Sequence, residues 1–147
     1  MSTRGTHSVE VAAPIERCYA IAADLERAPE WQSSLLSVTV LERDGEGRPT
    51  LVDTVSDAKA KRVAARLRFS YDPPTRIDTT QVKGELKSLT GRWSFEDLGG
   101  GRTRATYTLE ADLGRMLEML LRGPAVDRVR EVLVDNAAKE LKARAER

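Results

Sequence analysis

The amino-acid sequence predicts an α+β fold, in which a curved antiparallel sheet of about six to seven strands wraps a long C-terminal helix. Three observations support this prediction. A strand and short helices are indicated over residues 9–31, alternating segments separated by turn residues fill 34–112, and an amphipathic helical pattern extends over 126–142. Because the strands lie between the helical regions, we expect the helices to gather on one face of the sheet.

Length and charge bound the class of protein. The 147 residues suffice for one domain with a substantial core, so we expect a single domain over residues 1–147. The 24 Lys and Arg residues nearly balance the 23 Asp and Glu residues and are interspersed with them, which argues against a nucleic-acid partner. We expect a monomer or a homodimer.

The cellular location is predicted from two features. The single cysteine, Cys18, cannot form an intrachain disulfide, and the first residues lack the apolar core of a signal peptide, so we expect a cytoplasmic protein. The longest nearly apolar run, residues 116–121, is far shorter than the roughly 20 residues that span a bilayer, so no stable membrane insertion is expected.

The first strand and helix follow from local pattern. Val9 and Val11 alternate with polar and small residues, as in a half-buried strand, and Pro14 suits a first helical turn, which does not need the missing amide hydrogen. Apolar residues then recur at helical spacing, namely Ile15, Cys18, Tyr19, Ala22 and Leu25. We expect Pro29 to end this helix, with Trp31 just beyond it. A second short helical segment completes the region before the next strand.

The central strands are predicted from alternation and turn residues. The clearest is 63–71, whose odd-numbered residues are apolar and share one face. Residues 89–95 and 103–111 predict a hairpin joined by the glycines at 99–101. Gly91 indicates a bulge, a bend in a curved sheet or a ligand close to the backbone, and the bend is the favoured interpretation.

The C-terminal helix is predicted from apolar residues at spacings of three and four. They include Val129, Val132, Leu133, Ala137 and Leu141, with Asn136 and Glu140 on the same side or its border. Pro124 interrupts the helical pattern, so residues 113–122 are expected to form a separate or kinked segment. Such a segment could open to admit a ligand.

Assembled in this order, the chain resembles the START-like (SRPBCC) helix-grip proteins of the bacterial polyketide cyclase/dehydrase and lipid-transport branch. The resemblance covers nearly the whole chain. It rests on VEVAAP at 9–14 with Tyr19 and Asp24, PEW at 29–31, GRWSF at 91–95, GGRTR at 100–104 through Tyr107, and residues 133–142. It implies a ligand cavity between the sheet and the C-terminal helix, lined differently in members that bind steroids, lipids, polyketides or quinones.

Catalytic and metal-binding patterns are scarce. His7, the only histidine, precedes the first predicted strand, so we expect neither a histidine pair for zinc nor a Ser-His-Asp arrangement with a second supporting histidine. Cys18 lies on an apolar helix face, where a buried structural thiol is favoured over a Cys–His couple. The glycines at 99–101 join two strands and do not form a phosphate-binding loop. No metal and no cofactor are expected.

An enzyme built on this chain would use a carboxylate or a phenol. The candidates are Asp53, which shares a strand face with Leu51 and Val55, and Tyr71 and Tyr107, which fall on apolar strand faces. Each has a simpler interpretation. A tyrosine on a core face usually serves packing, and Asp53 lies in solvent if its strand is shifted by one residue.

The predicted ligand-binding residues are mostly aromatic or aliphatic. They are Trp31, Phe69, Tyr71, Trp93, Tyr107, Met116, Leu117, Leu120, Leu133 and Asn136. Taken singly, each also fits core packing. The favoured function is a non-catalytic carrier or sensor of a hydrophobic small molecule such as a lipid, polyketide or isoprenoid. The alternative is a polyketide cyclase, aromatase or dehydratase that uses tyrosine and aspartate residues of the cavity, and an interaction protein that uses the outer sheet face is least supported.

Overall fold

The computed structural model describes residues 2–57, 62–115, 119, 128 and 131–147. Within these residues, seven strands form one antiparallel sheet in the order β1-β7-β6-β5-β4-β3-β2. The strands are β1 (Ser2–Val11), β2 (Leu35–Arg43), β3 (Pro49–Asp57), β4 (Arg62–Asp72), β5 (Arg76–Gly84), β6 (Ser88–Gly99) and β7 (Arg102–Asp112). The α+β, helix-grip fold class predicted from the sequence is confirmed.

Two short helices connect β1 to β2. Helix α1 (Ile15–Ala23) is followed by a 3-10 helix (Leu25–Glu30). The backbone leaves the helical region at Asp24, where φ is −83° and ψ is 78°. The expectation that Pro29 ends the first helix is therefore wrong, because the break comes at Asp24 and Pro29 lies inside the 3-10 helix.

The C-terminal helix contains an unexpected π-helical turn. This turn (Glu131–Asp135) leads directly into helix α2 (Asn136–Ala145). Of the residues predicted to form the apolar face, Val132, Ala137 and Leu141 are buried, and Val134, which lay outside the predicted face, is buried as well. The predictions for Met116, Leu117 and Leu120, and for a kink at 123–124, lie outside the described residues. Among the helices that are described, none is long and apolar enough to cross a membrane.

Side chains on the inner face of the sheet form rows that cross the strands. One row consists of successive register partners on β1, β7, β6, β5 and β4, namely His7, Tyr107, Trp93, Ile77 and Tyr71. The next row consists of Gly5, Leu109, Gly91, Thr79 and Phe69. These rows confirm the predicted faces of β4, β6 and β7.

The β6–β7 hairpin has the predicted glycine turn. Gly99, Gly100 and Gly101 have φ values of 83°, 63° and 75°, a left-handed backbone that residues with a Cβ rarely adopt. The inner rows of the hairpin continue into the main core cluster, in which Cys18 and Leu141 are both fully buried. The structural interpretation of the Cys18 thiol is consistent with this burial.

Candidate ligand-binding cavity

An apolar cavity lies between the inner face of the sheet and the helices. The described residues that line it come from all seven strands, from α1 and the 3-10 helix, and from the π-helical turn. The space open to a water-sized sphere is about 170 Å³. An engineered apolar cavity of about 150 Å³ takes up benzene, so this space is large enough for a small ring compound.

Five of the predicted ligand-binding residues line the cavity. They are Trp31, Phe69, Trp93, Tyr107 and Leu133. The Trp93 ring is central to this set, because its centroid lies 4.6 Å from that of Tyr107 and 6.4 Å from that of Trp31. Three aromatic side chains from two strands and the segment after the 3-10 helix therefore form one continuous wall.

Tyr71 and Asn136 do not line the cavity, contrary to expectation. The Tyr71 hydroxyl donates a hydrogen bond to the Pro49 carbonyl oxygen at 2.5 Å, and the Arg48 guanidinium lies 5.2 Å from the centre of the Tyr71 ring. Tyr71 lies near the end of β4, beyond the cavity, where burial raises the pKa of its phenol. Asn136, the first residue of α2, is not among the residues that line the cavity.

The prediction that places Asp53 in the cavity is also wrong. Val52 and Thr54 line the cavity, so Asp53 points to the opposite face of β3. There Arg66 donates to both carboxylate oxygens of Asp53, at 2.8 Å and 3.1 Å. These hydrogen bonds lower the pKa of Asp53. Asp53 is an ionised, half-exposed member of a surface ion pair and does not reach a ligand in the cavity.

His7 lies inside the first strand and not before it. β1 begins at Ser2, and His7 pairs with Tyr107 across the β1–β7 ladder. Its Nδ1 atom lies 3.5 Å from Oδ1 of Asp135 in the π-helical turn. His7 is not among the cavity-lining residues, so this pair links the first strand to the C-terminal helix at the margin of the site.

Hydroxyl-bearing side chains also line the cavity, namely Ser34, Thr54, Ser56, Thr79 and Tyr107. Two of them, Thr79 and Tyr107, lie close together on the sheet, and Oγ1 of Thr79 is a buried atom with no hydrogen-bond partner among the described residues. Burial raises the pKa of Tyr107 to about 12, so its phenol stays protonated near neutral pH. Thr79 was not predicted from the sequence as a cavity residue. It lies two positions after Ile77, and residues two apart on a strand share a face, so its inward position could have been predicted.

Gly91 lies beneath these two hydroxyl-bearing side chains. Its pairing with β5 and β7 is regular, so there is no bulge at this position. A Cβ built on Gly91 would lie 2.8 Å from Cγ2 of Thr79, 3.3 Å from Cδ1 of Leu109 and 3.5 Å from the Tyr107 hydroxyl oxygen. The neighbouring side chains therefore close over Gly91 and use the space that the missing side chain leaves.

The described residues offer no metal site. No group of three or more His, Cys, Asp or Glu side chains in this part of the chain is arranged to hold a metal ion. The described cavity therefore has apolar walls with a few uncharged polar groups, which are the hydroxyl groups named above and the amide of Gln32. Such a lining fits the general pattern of small-molecule sites, in which a few polar groups orient an otherwise apolar ligand.

A curved antiparallel sheet closed by helices around an apolar cavity defines the helix-grip class of α+β proteins. Residues 11–138 match the profile of the polyketide cyclase/dehydrase and lipid transport family. The chain belongs to this family.

Known relatives and structures agree with this assignment. The chain is 32% identical over 149 aligned positions to the granaticin polyketide synthase bifunctional cyclase/dehydratase of Streptomyces violaceoruber. The match covers 97% of this chain but 43% of that protein, so the chain spans less than half the length of this relative.

Two solved structures illustrate the shared fold. A START superfamily protein from Mycobacterium smegmatis superimposes with a TM-score of 0.84 at 23% identity, over 97% of both chains. The Zhui aromatase/cyclase from a Streptomyces species gives a TM-score of 0.78 at 22% identity, over 100% of this chain and 95% of the other. At these identities the similarity concerns the fold.

Proposed function

We propose that the protein binds a hydrophobic small molecule in the cavity, as a carrier or sensor. The observation that supports this function is an apolar space of about 170 Å³ in the middle of the fold. Protein interiors are normally packed as densely as organic crystals. At roughly 24 cal/mol per Å³, leaving such a space unfilled by side chains costs on the order of 4 kcal/mol, and ligand binding accounts for its retention.

The polar groups near the cavity favour binding over proton transfer. Tyr107 holds its proton near neutral pH, and the Tyr71 hydroxyl is already bonded to the backbone. Asp53 lies on the outer face of the sheet. A general base needs a pKa near the working pH and a place within hydrogen-bond reach of the substrate, and none of these three groups combines the two properties.

The alternative function is a cyclase, aromatase or dehydratase acting on a polyketide-like chain. The specific observation in its favour is the match to a bifunctional cyclase/dehydratase at 32% identity. In this case Tyr107 would act as a hydrogen-bond donor or acid towards a substrate carbonyl, while the cavity walls would hold the chain in a folded conformation.

Native mass spectrometry of freshly purified protein tests the proposal. We expect a co-purified apolar compound, or uptake of added ethylbenzene, and we expect the Trp93→Ala variant to lose that binding because Trp93 is the centre of the aromatic wall. A protein that neither carries a compound nor takes up ethylbenzene would contradict the proposal.

Recovery of the compound separates the carrier from the enzyme. After incubation with a poly-β-ketone, a carrier returns the compound unchanged, whereas a cyclase or dehydratase returns a cyclised product that has lost water. If turnover is seen, Tyr107→Phe should abolish it and retain binding. Tyr71→Phe is the matched control, because the Tyr71 hydroxyl is bonded to the Pro49 carbonyl outside the cavity.

A further inference from the structure

We infer that the hydroxyl groups of Thr79 and Tyr107 form the polar anchor of the cavity, which selects an uncharged ring compound bearing a hydroxyl or carbonyl oxygen and rejects the corresponding carboxylate. The inference rests on the proposed binding function and names the ligand class for that same site.

The two hydroxyl-bearing side chains lie next to each other on the inner face of the sheet. Thr79 and Gly91 are register partners in one row, and Tyr107 and Trp93 are partners in the adjoining row. Cγ2 of Thr79 and the hydroxyl oxygen of Tyr107 both approach the Cβ position of Gly91, at 2.8 Å and 3.5 Å. Because both side chains also line the cavity, a small polar substituent of a ligand in this part of the cavity lies beside both of them.

The Thr79 hydroxyl group needs a partner. Thr79 is 9% exposed, and its Oγ1 has no hydrogen bond. Buried polar groups in proteins are nearly always hydrogen-bonded, because an unpaired one keeps the cost of leaving water. Tyr19 and Gln81 also carry buried atoms without a partner, but neither residue lines the cavity. Among the described residues that line the cavity, Thr79 is thus the one with a buried polar atom that lacks a partner, and a ligand oxygen beside Tyr107 would satisfy it.

The chemistry of the pair specifies the ligand oxygen. Tyr107 remains a phenol near neutral pH and donates its proton, whereas a threonine hydroxyl donates or accepts. A ligand hydroxyl accepts a hydrogen bond from Tyr107 while it donates one to Thr79. A ligand carbonyl accepts from either residue. Both types of oxygen leave the ligand uncharged.

The charge of the walls excludes a carboxylate. Among the described lining residues, the only ionisable cation is Arg92, whose Nε atom lies 2.6 Å from Oδ1 of Asp78 on the outer face of the sheet. No described lining residue therefore offers a free positive charge to the interior. An ionised carboxylate moved from water into such a site remains unpaired, which is strongly unfavourable.

Calorimetric titration with three matched compounds tests the inference. The probes are ethylbenzene, 4-ethylphenol and 4-ethylbenzoate at neutral pH, which share one ring and one ethyl group. We expect 4-ethylphenol to bind about tenfold more tightly than ethylbenzene through two added hydrogen bonds, and 4-ethylbenzoate to bind at least about tenfold more weakly than ethylbenzene.

Substitution of Thr79 and Tyr107 tests whether their hydroxyl groups cause the preference for 4-ethylphenol. Thr79→Val and Tyr107→Phe keep the shape of the side chain and remove the hydroxyl, so each should reduce the ratio of the 4-ethylphenol affinity to the ethylbenzene affinity. A far-UV circular dichroism spectrum that matches the parent protein shows that the variant is folded. The matched control Thr80→Val changes the neighbouring exposed residue on the opposite strand face and should leave all three affinities unchanged.

The outcomes separate the two proposals. If ethylbenzene binds but 4-ethylphenol gains nothing, or if 4-ethylbenzoate binds equally well, the polar anchor is refuted and the proposed binding function stands. A selectivity for 4-ethylphenol that survives both substitutions also refutes the assignment. If none of the three compounds binds, the proposed function and the inference fail together.

Discussion

Gly91 lies on the inner face of β6, beneath the side chains of Thr79, Leu109 and Tyr107. A Cβ added there would come within 2.8 Å of Cγ2 of Thr79, and a β-branched side chain has little rotamer freedom with which to move. We expect Gly91→Ala to lower the free energy of unfolding by about 1–3 kcal/mol and to weaken ethylbenzene binding. Urea denaturation and calorimetry measure the two effects.

The control for Gly91→Ala is Gly45→Ala. Nothing lies within 4 Å of a Cβ built on Gly45, which is exposed in the β2–β3 turn. This variant should match the parent protein in ligand affinity. Equal stability and affinity for Gly91→Ala and the parent would show that the space above Gly91 is not part of the binding site.

The Tyr107 phenol links stability to alkaline pH. Burial raises its pKa from 10.0 to about 12, so the folded protein holds this proton more tightly than the unfolded chain does. The resulting stability is fully present below about pH 10 and is lost as the pH rises towards 12. Tyr107→Phe removes this loss, so its unfolding free energy should fall less steeply over that interval, by up to about 1.4 kcal/mol per pH unit.

Urea denaturation of both proteins between pH 9 and about pH 12 tests this linkage. Tyr19 and Tyr71, whose pKa values are also raised by burial, are present in both proteins and cancel in the difference. Parallel curves for the parent and Tyr107→Phe would contradict the raised pKa of Tyr107.

Residue orientation was predictable wherever one strand face was clearly apolar. Trp93 and Tyr107 satisfy that condition, because their strands alternate apolar and polar residues. Strand β3 does not have a single apolar face, since Leu51 and Val52 are adjacent and both buried. With apolar residues on both faces, alternation alone could not decide the side of Asp53, and the register with Arg66 on β4 decides it.

The end of the C-terminal helix is held to the connection between β1 and α1. Oε2 of Glu146 accepts hydrogen bonds from the Ala12 amide at 2.8 Å and from Nζ of Lys142 at 2.7 Å. Lys142 also donates to the Glu10 carbonyl oxygen at 2.7 Å. Arg17 of α1 donates to the Ala145 carbonyl oxygen at 2.7 Å. These bonds fix the helix at the end remote from the π-helical turn.

Glu146→Gln tests this attachment. The Ala12 amide and then Lys142 lower the pKa of Glu146 below its ordinary value of 4.5. A lowered pKa contributes stability that is present above about pH 4.5 and is lost as the pH falls through the folded-state value. We expect Glu146→Gln to cost about 1 kcal/mol at pH 7, because the bonds are partly exposed, and to converge on the parent at low pH.

Thermal unfolding at pH 7 and at pH 3 measures this difference. Glu16→Gln is the control, because Glu16 is exposed in the first turn of α1 and takes no part in the hydrogen bonds that hold the helix end. A Glu146→Gln effect that is the same at both pH values would show that shape, and not charge, determines the contribution of Glu146.

Strands were predicted more reliably than the boundaries of helices. The spacing of apolar residues over 15–25 suits an α-helix and a following 3-10 helix equally well, so the break at Asp24 left no signal in the pattern. The apolar spacing does not distinguish the π-helical turn Glu131–Asp135 from an α-helix either. The start of β1 was missed because Ser2 to Ser8 lacks apolar alternation.

This part of β1 is held by pairing with its neighbour. On the outer face, Thr6 bonds to Thr108 through their hydroxyl groups at 3.0 Å, and Ser8 bonds to Thr106 at 2.7 Å. Such cross-strand pairs stabilise a sheet without apolar side chains, and they become apparent only when the register is known. The position of His7 opposite Tyr107 depends on the same register.

At the scale of the whole molecule, the cavity separates two regions of packed core. The larger cluster joins α1, α2 and one end of the sheet around Val11 and Leu141, and the smaller one contains Leu86, Ala111 and Leu113. The sequence predicted the sheet, the helix and a space between them. Five of the side chains that border that space were predicted, but others such as Val52 and Leu67 were not, because a core position and a cavity position have the same apolar pattern.

A larger side chain in the cavity should abolish the stabilisation of the protein by its ligand. Ala65 lines the cavity, whereas its neighbour Ala64 is exposed on the opposite face of β4. For the parent protein, ligand at 100 times Kd adds about 2.7 kcal/mol to the unfolding free energy, which raises Tm by about 5–10 °C for a chain of this size. Ala65→Leu places three more carbon atoms in the space the ligand needs, so this ligand-dependent rise in Tm should disappear. Ala64→Leu should retain it. A full rise in Tm for Ala65→Leu would show that the ligand binds elsewhere.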